Sequence, residues 1–161
     1  MADPKDISPC KNEELFLKCR STLITGVLLP DKTRSDIWYD DTGTIRTCGP
    51  DIAHNHRNEA DIILDGSGFL AMPGLINTHT HAAMTLLRGY ADDMHLHQWL
   101  SEKIWPLEAH LTGEHVYWGT KLACLEMIRS GTIAFNDMYF YMKDAARAVQ
   151  ESGIRAVLSH G

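Results

Sequence analysis

After Pro73-Gly74 the chain alternates short apolar runs with helical patterns, and this alternation restricts the possible folds more than any other feature. A strand at about 75–80 is followed by helical material between about 97 and 130, a strand in GTIAFND, a helix in KDAARAVQESG and a strand in IRAVLSHG. That order predicts right-handed βαβ units and a parallel sheet. The long helix has a start signal at Thr112, with Glu114 in its first turn, and a stop at Ser130-Gly131, as a capped N-terminus and a glycine just past the C-terminus should. Ahead of Pro73 the segments are short, rich in β-formers and divided by turns. LFLKCRSTLIT comes first, then SDIWYDDTGTIRTCG with a hairpin at its Asp-Thr-Gly centre, then ADIILDGSGFL with Gly66-Ser67-Gly68 read as another hairpin. These predict a small antiparallel β unit.

A (β/α)8 barrel takes about 250 residues, roughly 30 per unit, so residues 74–161 amount to about three of eight units. A three-stranded doubly wound sheet is the smaller alternative, but all-parallel sheets need helices on both faces and the sequence supplies few. The expected molecule is therefore the front end of a larger α/β fold.

Three His-x-His pairs occur, His54/His56, His79/His81 and His95/His97, more than chance placement of nine histidines would give. On a strand, alternate side chains face the same way, so such a pair points two imidazoles into one space, half of a metal site. Only His79/His81 has the right setting, because Leu75-Ile76 leads into it after the Pro73-Gly74 stop. Sites in parallel barrels form at the C-terminal ends of strands. His54/His56 lie in GPDIAHNHRNEAD, without apolar alternation, and read as a solvated loop. His95/His97 precede a helical pattern in which a two-residue spacing splays side chains apart, and read as loop or helix-start residues.

Composition narrows the partners. With 44% hydrophobic and 22% charged residues the chain has the make-up of a soluble globular protein. A formal charge of −6 argues against nonspecific binding to nucleic acid or anionic membrane. The N-terminus MADPKDISPCKNEE lacks the basic and apolar regions of a signal peptide, and no run of about 18 apolar residues occurs. Cys10, Cys19, Cys48 and Cys124 show no C-x-x-C spacing and read as reduced thiols of a cytoplasmic protein.

The segments MPGLINTHTHAAMTLLRGYADD, WLSEKIWPLEAHLT, GTKLACLEMIRSGTIAFNDMYF and ARAVQESGIRAVLSHG, in that order, resemble the N-terminal third of the amidohydrolase superfamily. The resemblance is closest to its 5′-methylthioadenosine/S-adenosylhomocysteine deaminases and their relatives, the triazine chlorohydrolases. It implies a metal-bearing (β/α)8 barrel with a small β-sandwich built from both chain ends. Residues 1–70 would be the N-terminal portion of that composite sandwich, and 71–161 the first strands and helices of the barrel. By position, His79 and His81 match two ligands of a divalent metal, zinc before iron, and Thr80 has no ligand role. Glu108 matches a carboxylate that accepts hydrogen bonds from ribose hydroxyls, for which two acceptor oxygens suit two vicinal donors. Trp99 and Trp105 fall in the segment covering the pocket mouth, with Trp99 placed to pack on a purine. Asp137 and His160 end the second and third strands but match no ligand.

His97 stands where the family pattern expects an apolar residue, which bears on the lid and on substrate preference. By the resemblance, the remaining ligands and the general acid/base lie beyond Gly161, so no catalytic residue is assigned within this chain. The resemblance implies hydrolytic deamination of an adenine nucleoside by a homo-oligomer at full length, with residues 1–161 inactive alone. A triazine-type hydrolase on the same scaffold and a non-catalytic remnant with an exposed strand edge are the alternatives.

Overall fold

A computed structural model of the chain describes residues 20–161. Cys10, Cys19, the N-terminal MADPKDISPCKNEE and the start of the strand expected from Leu15 lie outside these residues. Two compact units meet in sequence at Pro73 and Gly74.

The first unit holds β1 (Thr22–Leu28), β2 (Arg34–Tyr39), β3 (Ile45–Gly49), a short helix α1 (Ala53–His56) and β4 (Ile62–Asp65). Their sheet has the order β3-β2-β1-β4. The Asp41-Thr42-Gly43 hairpin forms as expected, with β2 antiparallel to β3. The Asp40 side chain closes it by accepting from the Thr42 and Thr44 amides.

Three expectations for this unit are corrected. The sheet is mixed, because β4 pairs parallel to β1. Gly66-Ser67-Gly68 does not form a hairpin, since the chain turns and continues beside β1 in the same direction, with Leu70 bridging Leu28. The cause is nonlocal. Asp36, 8% exposed, accepts from the Gly26 amide at the β1 bulge and from Ala53 at the start of α1. This anchors a crossover that returns the chain to the far side of β1. Likewise His56 is not in a solvated loop: it ends α1 and stacks on Trp38, with centroids 4.5 Å apart.

The second unit has the expected parallel sheet, in the order β5-β6-β7, made of β5 (Leu75–Thr80), β6 (Thr132–Tyr139) and β7 (Arg155–His160). Between β5 and β6 run a 3-10 segment (Ala82–Leu87), a helical stretch from Leu96 to Glu108, and the long helix α4 (Gly113–Arg129). The stretch 96–108 is α2 (Leu96–Trp99), a π segment (Leu100–Ile104) and α3 (Trp105–Glu108). Pro106, at the start of α3, has no N–H to give and its ring crowds the preceding turn, which accounts for the widened ladder before it. His95 is the N-cap of α2, and His97 lies in that helix, as the sequence implies. Thr112 caps α4 reciprocally with His115. Helix α5 (Met142–Ser152) then links β6 to β7.

Strand β6 organises the core. Phe135, Asp137 and Tyr139 are buried on one face, while Asn136 and Met138 on the other are exposed. Phe135 packs with Ala82, Ala123, Cys124, Val149 and Ile154, and Tyr139 with Ala83, Val116 and Ala145. The 3-10 segment that follows the His79/His81 pair is thereby pressed against α4. The approach is tight at Gly119, where an added Cβ would lie 2.5 Å from the Ala83 carbonyl oxygen. Gly119→Ala gains about 1 kcal/mol of helix propensity but forces a backbone shift costing about 1–3 kcal/mol. A net loss of up to about 2 kcal/mol in urea unfolding is expected, and an increase in stability would show that α4 can yield at this point.

Candidate active site

The histidine pair sits where β5 loses its regular register. Between Asn77 and Thr80 the pairing with β6 slips by one residue, a bulge of the kind that re-aims side chains beside functional sites. The two imidazoles meet edge to face, with centroids 5.2 Å apart. The His81 Nδ1 lies 2.7 Å from the Met138 carbonyl oxygen. A carbonyl only accepts, so Nδ1 carries the proton, and in the neutral ring Nε2 is then the nitrogen whose lone pair can meet a metal. A metal about 2.0–2.1 Å from one nitrogen of each ring, at a tetrahedral angle of about 109°, separates two ring centroids by roughly 5 Å. The 5.2 Å between the two rings matches that spacing. Among the described residues no group of three or more His, Cys, Asp or Glu side chains gathers at metal-binding distance.

Behind the pair stands Asp137. It does not end its strand, which runs on to Tyr139. It is 1% exposed and opposite Thr80. Its Oδ1 accepts from the Ala82 amide at 3.0 Å, which fixes the backbone just after His81. Its Oδ2 has no partner among the protein atoms, and burial pushes the carboxyl above the usual range.

Tyr139 follows on the same face. Its ring lies 6.1 Å from that of His81, and its hydroxyl donates to Glu108 Oε1 at 2.7 Å. Burial first, and then the Glu108 carboxylate, hold the phenol well above the ordinary tyrosine range, so it stays a donor. His79, His81, Tyr139 and Glu108 thus form one connected line. Glu108 opens on a cleft of about 660 Å³ whose walls include Trp105, Phe140, Met142, Lys143 and His160.

Of the residues singled out from sequence, His79 and His81 come together, and Glu108 joins them through Tyr139. Trp105 and His160 line the Glu108 cleft. Trp99 lines a different groove with Met84, Leu87, Tyr90 and Met94, its indole N–H 3.5 Å from the Tyr90 carbonyl oxygen. Sequence reasoning missed Tyr139. The available signal was its place two residues past Asp137, which puts both on the buried face of one strand.

The model of the amidohydrolase family matches residues 70–161. The 5′-deoxyadenosine deaminase of Methanospirillum hungatei is 98% identical over 161 residues, all of this chain and 36% of that protein. The 5-methylthioadenosine/S-adenosylhomocysteine deaminase 1 of Archaeoglobus fulgidus is 62% identical over 63% of this chain and 24% of that protein. The chain thus spans about a quarter to a third of the length of these relatives. A crystal structure of an adenosine deaminase from Xanthomonas campestris with bound zinc superimposes with a TM-score of 0.74 at 34% identity, over 86% of this chain and 33% of that one. The atrazine chlorohydrolase of Arthrobacter aurescens complexed with zinc gives 0.73 at 22% identity, over 86% and 35%, a likeness of fold alone.

Proposed function

This chain belongs to the amidohydrolase family, and from that premise we propose that its residues form the opening part of a metal-dependent deaminase of adenine nucleosides. The carrying observation is the 98% identity, along the whole chain, with a protein named 5′-deoxyadenosine deaminase. 5′-Methylthioadenosine and S-adenosylhomocysteine are the companion substrates, because relatives above 60% identity bear those names. In the proposed architecture β5–β7 are the first three strands of a (β/α)8 barrel, and residues 1–70 contribute to a β-sandwich. The parallel order β5-β6-β7 and the exposure of Ile76 and Val157, apolar residues beside one groove with Ala134 and Asn136, support the barrel.

His79 and His81 would hold the metal, with zinc preferred because the structural neighbours carry it. When bound, such an ion supplies water activation at neutral pH. The residues of this chain do the rest of what falls to them. The Met138 carbonyl orients His81. Asp137 holds the turn that follows it. Glu108 presents its carboxylate to the 2′- and 3′-hydroxyls of the ribose, two donors for which it has free acceptor sites. Trp99 lines a groove apart from the Glu108 cleft and is given no contact with the purine. A triazine has no diol, so Glu108 favours the nucleoside reading over the chlorohydrolase one.

The test uses the chain at the full length of its relatives. After chelation and dialysis, ammonia release from 5′-deoxyadenosine is expected to fall by about 10³-fold or more and to return with zinc, since water without a metal is far less acidic and supplies little hydroxide at neutral pH. Failure to release ammonia from any adenine nucleoside in the presence of zinc or iron would contradict the proposal.

A further inference from the structure

We propose that Tyr139 is a positioning residue that sets the selectivity of this site for nucleosides carrying both ribose hydroxyls. The inference rests on the reading of Glu108 as the diol acceptor and goes one step deeper.

Glu108 is the last residue of α3 and is only half buried. A glutamate has three side-chain rotors, so nothing local holds its carboxylate in one place. Tyr139 has two rotors and is 5% exposed, with its ring seated among Ala83, Val116 and Ala145. The fixed partner therefore holds the mobile one. An ionised carboxylate only accepts, so the Tyr139 hydroxyl donates, and the 2.7 Å bond occupies one acceptor position on Oε1. Oε2 and the second lone pair of Oε1 remain. Two free acceptors on one carboxylate are what a vicinal diol requires, and a nucleoside with a single hydroxyl would leave one unused. The bond also ties the Glu108 carboxylate to the side of the His79/His81 pair, because the Tyr139 ring neighbours His81.

Tyr139→Phe removes one oxygen and keeps the buried ring, which separates positioning from packing. In the full-length zinc-loaded enzyme, kcat and KM are measured for 5′-deoxyadenosine and for its 2′-deoxy and 3′-deoxy analogues, with Glu108→Gln alongside and melting temperatures for all. The expected result for Tyr139→Phe is a KM for 5′-deoxyadenosine raised about 10-fold with kcat within about threefold, an unchanged KM for both deoxy analogues and an unchanged melting temperature. Discrimination between diol and deoxy substrates then falls about 10-fold. If Glu108→Gln removes the discrimination while Tyr139→Phe preserves it, the positioning role is wrong and the Glu108 reading stands. If Glu108→Gln leaves discrimination intact, both fall. A Tyr139→Phe enzyme that loses activity equally on all three substrates, or melts lower in proportion, shows a packing role and overturns the inference.

Discussion

His81→Ala in the full-length enzyme is expected to lower kcat/KM for adenine nucleosides by about 10³-fold or more and to leave the protein without stoichiometric metal. On the proposed reading His81 is a ligand oriented before any ion arrives: its Nδ1 proton is held by the Met138 carbonyl, its backbone is followed by the Asp137-anchored Ala82 amide, and its ring meets His79 edge to face. Loss of a partner that merely orients a ligand costs about 10–100-fold, so loss of the ligand itself should exceed that. Metal analysis by mass spectrometry after gel filtration checks the binding arm. Alanine at His54, His56, His95 or His97 should leave metal content unchanged, because each of those residues belongs to another element, α1 or α2 with its cap. Full metal occupancy in His81→Ala would place the ion elsewhere.

Phe135→Ala is the substitution with the largest expected effect on stability, about 3–5 kcal/mol. Phe135 is 2% exposed and fills the space between β6 and the two helices, touching residues from the 3-10 segment, α4, α5 and the approach to β7. A cavity there cannot collapse easily, since α4 is already in close contact with the 3-10 segment at Gly119. Urea unfolding of the full-length enzyme checks the value, and a loss under about 1 kcal/mol would mean that the cluster repacks freely. Val157 provides the contrast. It is 67% exposed, yet as an inward residue of the proposed barrel it should be buried at full length. Val157→Ala should then cost about 1–2 kcal/mol, by the scale of lost methyl groups, whereas an exposed Val157 would make the change nearly neutral.

The parts of this structure readable from sequence are those decided locally. The Pro73-Gly74 stop followed by Leu75-Ile76 singled out one histidine pair of three. Thr112 and Gly131 bounded α4, and Asp41-Thr42-Gly43 announced its hairpin. Gly66-Ser67-Gly68 misled because a glycine-rich turn carries the same local signal whether the chain reverses or runs on. The deciding contacts here are the Asp36 carboxylate bonds to Gly26 and Ala53, distant in sequence. The stacking of His56 on Trp38 is nonlocal in the same way. The bulge in β5 and the π segment before Trp105 left no pattern to read beyond Pro106. Tyr139 escaped notice because an aromatic residue at the end of a buried strand looks like core, which it also is. Its function shows only through a hydroxyl bonded to a carboxylate 31 residues away.

The most direct test of the account is anomalous diffraction at the zinc edge from crystals of the full-length enzyme with a slowly reacting adenine nucleoside analogue bound. The account predicts a single peak about 2.0–2.1 Å from one nitrogen of each of His79 and His81, with Nε2 as the His81 donor and its Nδ1 still on the Met138 carbonyl, and with the Glu108 carboxylate on the ribose hydroxyls. A peak away from this pair, or coordination through His81 Nδ1 with the Met138 bond broken, would contradict it.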